Sequence, residues 1–148
     1  MIVGTSWFDA DHRPLPEFLC SRREWLPWPG VSLKRSSMVD PRTAQNLRQW
    51  ENKPSLRAVY QDLYRKMAGE CLPGATLEIG GGSGNFKRYR NDVVTSDVVC
   101  APWLDLVADA EALPFKAGVF SNIVMFDVLH HIEFPRTFFA EAQRVLRW

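Results

Sequence analysis

Cysteine is scarce. Cys20, Cys71 and Cys100 are the three in 148 residues, an odd number at spacings that suit neither a disulfide framework nor a zinc cluster. They read as reduced thiols, and no metal site is expected. A charge excess of one sign is also lacking. Eighteen basic and 17 acidic side chains leave a formal charge of +1, too weak a field to imply nucleic acid. The charges divide unevenly, with 11 basic and 8 acidic groups in residues 1–70 against 7 and 9 in residues 71–148, but this tilt identifies no partner. Long apolar runs are absent, and nothing approaches the roughly 20 uncharged residues of a membrane span. The opening MIVGTSWFDADHRPLPEFLC lacks the basic-then-apolar order of a secretory signal, so a cytoplasmic address is the expectation. What is present is 46% hydrophobic and 24% charged content, the balance of one soluble globular domain with a real core.

Residues 1–53 read as an irregular arm, because Pro14, Pro16, Pro27, Pro29 and Pro41 interrupt any long helix. In it Trp7, Trp25, Trp28 and Trp50 alternate with arginines such as Arg13, Arg22, Arg35 and Arg48. Aromatics among arginines suit base stacking on single strands, but they equally suit a lid over the core or a surface for a partner. Within the arm, Pro41 to Trp50 reads as a short helix capped by Asp40. Pro54 opens a longer one with Leu56, Val59, Tyr60, Leu63, Tyr64 and Met67 on one face, and the Pro73–Gly74 turn ends it. From Ala75 onward short apolar runs alternate with helical stretches, as in a parallel α/β sheet. The expected strands are Ala75–Ile79, Val93–Ser96, Leu104–Ala108 and Ser121–Phe126. Pro135 then opens a helix with Phe134, Phe138, Phe139, Ala142, Val145 and Leu146 inward and Arg136, Glu141, Arg144 and Arg147 toward water.

The most informative stretch is Thr76-Leu77-Glu78-Ile79-Gly80-Gly81-Gly82-Ser83-Gly84-Asn85-Phe86, a strand that ends acidic and runs into a glycine-rich turn. Such glycines let backbone approach a ligand and adopt positive φ without steric cost, and the turn aims the next helix N-terminus at that ligand. The dinucleotide pattern G-x-G-x-x-G fails at Asn85, and no Gly-Lys-Ser/Thr follows for a P-loop. A nicotinamide-dependent oxidoreductase is therefore disfavoured. Asp97, at the end of the second strand, stands where a carboxylate accepts from both ribose hydroxyls. A tight structural turn and a simple turn residue at Asp97 are the alternatives.

These residues resemble the class I S-adenosylmethionine-dependent methyltransferases of the methyltransferase-11 type, over about Thr76 to Leu146. The resemblance implies a Rossmann-like α/β sheet bound to S-adenosyl-L-methionine. It assigns Gly80, Gly81, Gly82 and Gly84 to the methionine portion, with Glu78 supporting the loop and the amino group. Asp97 becomes the ribose acid, Asp109 the contact to the adenine amino group and Ala110 a backbone contact beside it. The segment IVMFDVLHHI then brings Phe126, Asp127, Val128 and Leu129 near the sulfonium. No catalytic side chain is named, because displacement at an activated methyl needs alignment above all. Adjacent His130 and His131 are expected to point apart and to form no metal pair. The resemblance also implies that residues 54–148 form a partial cofactor domain, holding the first four parallel strands and lacking the family's strands five to seven. The open edge of the fourth strand then invites self-association. The acceptor is expected to be a small molecule, and a non-catalytic nucleoside-binding or interaction module derived from such an enzyme is the alternative.

Overall fold

The computed structural model describes residues 39–147. Trp7, Trp25, Trp28 and most of the arm lie outside the described residues, as does Trp148. The chain first enters helix α1 (Pro41–Asn52). Asp40 caps it as the sequence predicts, its Oδ1 accepting from the amides of Arg42 at 2.9 Å and Thr43 at 3.0 Å, which satisfies two otherwise orphaned donors. Helix α2 (Pro54–Glu70) follows directly. Arg57 reaches back to the carbonyls of Trp50 and Glu51, so one side chain ties the start of α2 to the end of α1. The contact is completed by Trp50, edge-on to Tyr60 with ring centroids 5.5 Å apart. Val59, expected on the inward face of α2, is instead 59% exposed.

The sheet contains β1 (Thr76–Ile79), β2 (Val93–Asp97), β3 (Leu106–Val107) and β4 (Asn122–Met125), all parallel and in the order β3-β2-β1-β4. The helix α3 (Asn85–Tyr89) between β1 and β2 is short, as the spacing requires. Leu77 lies beside Val94 and Ile123, and Glu78 beside Thr95 and Val124. Alternation along the strands therefore builds two apolar layers. Leu77, Ile79 and Val94 pack with Phe120, Phe138, Ala142 and Val145, which places helix α4 (Pro135–Val145) on one face. Val93 and Val124 pack with Trp50, Tyr64 and Phe86, which places α1, α2 and α3 on the other. β1 is buried along its whole length, as expected for an inner strand covered on both faces.

Three details of α4 and its neighbours depart from the sequence reading. Phe134 and Phe139 are more than half exposed, because only Phe138, Ala142 and Val145 fall on the stripe that meets the sheet. Glu141 and Arg144 do not simply face water. Arg144 donates to the carbonyls of Phe115 at 2.6 Å and Leu113 at 2.8 Å, while Glu141 accepts from the Leu113 amide at 2.8 Å, so the pair satisfies backbone groups of the turn before β4. Finally, the chain leaving α4 returns beside the start of the fourth strand. Phe120 and Leu146 form a parallel bridge, and the Arg147 amide donates to the Phe120 carbonyl at 2.8 Å. Among the described residues, the outer side of β4 itself has no further strand.

Candidate functional site

Strand order reverses beside β1. The chain runs outward through β2 and β3 on one side and then crosses to β4 on the other. In open α/β sheets the crevice for a ligand opens at such a reversal, beyond the carboxyl ends of the strands. The glycine loop lies there. Gly80, Gly82 and Gly84 all have positive φ, at 73°, 46° and 69°, a region that L side chains avoid. The loop crosses over the end of β2, where the Gly81 amide donates to the Ser96 carbonyl at 2.9 Å.

The four loop glycines serve different ends. A Cβ on Gly80 would lie 2.2 Å from Val128, one on Gly81 would lie 2.9 Å from Leu104, and one on Gly84 would lie 2.6 Å from the Trp103 ring. These three positions are filled by the protein's own side chains. Gly82 differs, since a Cβ there meets nothing nearer than the Gly80 carbonyl at 3.8 Å. The loop is open to a ligand at that residue.

Below the loop sits Glu78, only 7% exposed. Its Oε2 and the Oδ1 of Asn85, the first residue of α3, are buried acceptors without a hydrogen-bond partner. Leaving such an atom unpaired costs free energy, so the pair calls for a donor. Burial pushes the Glu78 carboxyl up to about 7; Lys87 opposes that rise, and Asp105 and Asp97 reinforce it. Tyr64 closes this side. Burial, the Glu78 charge and Tyr60 hold its phenol above the ordinary value, against a hydrogen bond from Asn85.

Asp97 is half-buried at the exit of β2. Its Oδ2 accepts from the Gly82 amide at 2.8 Å and its Oδ1 from the Val99 amide at 3.1 Å. Each oxygen keeps a second lone pair. The Ala108 amide donates to the Asp97 carbonyl at 2.9 Å, which brings exposed Asp109 and buried Ala110 to the same end of the sheet. Asp109 folds into its own turn, accepting from the Glu111 amide at 2.8 Å.

From the other side comes the exit of β4. Asp127 takes φ 57°, the one non-glycine residue with positive φ among those described, a strained conformation of the kind that clusters at functional sites. Val128 covers Gly80, and a depression is lined by Met125, Asp127, Val128, Leu129 and His130. Phe126 is bound to the opposite layer, its ring 5.1 Å from that of Tyr60 and 6.3 Å from that of Tyr64. His130 and His131 do not point apart. The 3-10 turn Leu129–His131 brings their ring centroids to 3.9 Å, and His130 Nδ1 lies 3.6 Å from the Asp127 carboxylate. No cluster of potential metal ligands occurs among the described residues, and no described helix is long and apolar enough to cross a membrane.

The structure thus gathers the glycine loop, Glu78, Asp97, Ala110, Asp127 and Val128 at one end of the sheet. The sequence reading missed Trp103, whose position after Pro102 in a short connection carries no motif.

Residues 77–148 match the family model described as a methyltransferase domain. This half of the chain is methyltransferase-like. The methyltransferase-like fold is shared with solved structures. A SAM-dependent methyltransferase of Thermotoga maritima superposes with TM-score 0.62 at 21% identity, over 72% of this chain and 54% of that one. A candidate S-adenosyl-L-methionine-dependent methyltransferase of Methanococcus maripaludis superposes with TM-score 0.55 at 14% identity, over 80% of this chain and 64% of that one. The chain therefore spans between about half and two-thirds of the length of these structures. No curated protein matches the sequence.

Proposed function

We propose that the chain binds S-adenosyl-L-methionine at the glycine loop and serves methyl transfer to a small-molecule acceptor. One observation carries this reading: Gly82 is the loop glycine whose missing side chain leaves open space, and it stands beside Asp97 at the reversal of strand order. The remaining residues fit the cofactor. Glu78 Oε2 and Asn85 Oδ1 are acceptors suited to its ammonium group, the free lone pairs of Asp97 suit a ribose diol, and Asp109 with Ala110 would border the adenine. Gly80, Gly81 and Gly84 shape the loop, and Asp127 and Val128 would flank the methyl side, with Phe126 backing them from the aromatic layer. When bound, the cofactor supplies a methyl group on a sulfonium that is already activated. The protein's own contribution is to hold donor and acceptor in line and to exclude water. On this reading residues 54–148 are the cofactor-binding unit, and the described part of the preceding segment, α1, joins it through Trp50.

Calorimetry with S-adenosyl-L-methionine and S-adenosylhomocysteine tests the proposal. Asp97→Ala removes a charge-assisted acceptor and is expected to weaken binding about tenfold to a hundredfold. Gly82→Asn, a side chain that tolerates the left-handed backbone of this residue, fills the open space and should abolish binding while circular dichroism stays that of the parent. A parent chain that binds neither compound, or a folded Gly82→Asn chain that binds both, overturns the reading.

A further inference from the structure

Residue 82 is held from both sides, by the last side chain of β2 and by one from the connection between β2 and β3. Its amide donates to Asp97 Oδ2 at 2.8 Å, and its carbonyl accepts from Trp103 Nε1 at 2.8 Å. The indole also occupies the space that Gly84 leaves free, since a Cβ there would come within 2.6 Å of Trp103 Cδ1 and 3.2 Å of Cγ. The fourth loop glycine is therefore matched to a tryptophan of the same chain.

Trp103 is itself firmly placed. Two residues on, Asp105 accepts from the Thr95 amide at 2.8 Å and the Thr95 hydroxyl at 3.1 Å and pairs with Lys87 of α3. The Leu104 amide donates to the Ala101 carbonyl at 3.1 Å, and the Asp105 amide to the Thr95 carbonyl at 3.1 Å. A connection fixed in this way to β2 and α3 carries the indole to Gly82 and Gly84.

We propose that Trp103 is a positioning residue that latches the glycine loop in its ligand-receiving shape. Without the indole, the Gly82 carbonyl loses its donor, Gly84 loses its neighbour, and the positive φ values at both residues lose their support. Ordering the loop would then have to be done by the ligand, and affinity falls by the cost of that ordering. That the ligand is S-adenosyl-L-methionine rests on the function proposed above; the latch itself does not.

The test uses the full chain with Trp103→Phe, which keeps an aromatic ring against Gly84 but removes the N–H. Amide hydrogen exchange is followed at Gly82 and Gly84, whose N–H groups are bonded to Asp97 and to the Gly81 carbonyl. In the same samples, calorimetry measures S-adenosylhomocysteine binding. Exchange at both amides should quicken at least threefold relative to amides of β1, with affinity reduced about threefold to tenfold, as befits one neutral hydrogen bond. Trp103→Met, which also removes the N–H but fills the space beside Gly84 with a flexible side chain, gives a second route to the same exchange readout should Trp103→Phe fold poorly. Unchanged exchange at Gly82 and Gly84 in a folded variant overturns the latch, whatever the affinity. Quickened exchange in a protein whose parent binds no nucleoside leaves the latch standing and removes the cofactor reading instead.

Discussion

A carboxyl below a glycine loop, buried and short of a donor, gives Glu78 a response to pH that falls near neutrality. Its folded value of about 7 stands above the 4.5 of an ordinary glutamate, so the folded chain holds this proton more tightly than the unfolded one. The contribution to stability is complete at acid pH, begins to drain as pH rises past the ordinary value, and is gone once the folded group ionises near 7. Glu78→Gln mimics the protonated form and should therefore melt higher than the parent at pH 8, by up to about 3 kcal/mol in stability. The gap should close toward pH 5, and thermal denaturation at both values measures it. An equal gap at the two pH values would show that ionisation of Glu78 is not the cause. The glycines were legible as a motif because their spacing is local. That Val128, Leu104 and Trp103 fill three of the four spaces was not legible, since those contacts join segments far apart in the chain.

At the scale of elements, α4 is held by more than its apolar stripe. Arg144 joins its last turn to the carbonyls of Leu113 and Phe115 and lies across Glu141, with Nε and Nη2 each 2.7 Å from the carboxylate. Arg144→Ala leaves both carbonyls without that donor and is expected to cost about 1–3 kcal/mol, seen as a lower melting temperature with helix content preserved. Arg144→Lys should recover only part, because a point charge cannot serve two carbonyls and a carboxylate in one plane. Among the described residues, the four strands and the three longer helices were readable from periodicity, capping and proline placement, all of which act within a few residues. Exposed Phe134 and Phe139 were misread because a run of aromatics fixes helical phase poorly. The return of the chain from α4 to Phe120 had no local signal at all.

For the whole molecule, the sheet is finished on one side and unfinished on the other among the described residues. β3 is only two residues long, a blunt edge, whereas β4 offers its outer side, with one bridge at Phe120 just before it begins. Exposed Leu129, Phe134 and Phe139 lie in the segments that follow it. An apolar edge of this kind pairs with other chains. Sedimentation velocity of the 148-residue chain over a concentration series should show self-association, and a single boundary independent of concentration would count against it.

The central place of β1 also sets the order in which the fold closes. Thr76 meets Val93 on one side and Asn122 on the other, so the second pairing closes a much longer loop, at an entropic cost about 1 kcal/mol greater. The shorter closure favours a first pairing that brings the glycine loop and Asp97 together ahead of Asp127 and Val128. Until those two arrive, Gly80 lacks its cover and β1 shows a bare flank to the solvent. A nascent chain is most open to capture by another copy of itself during that interval.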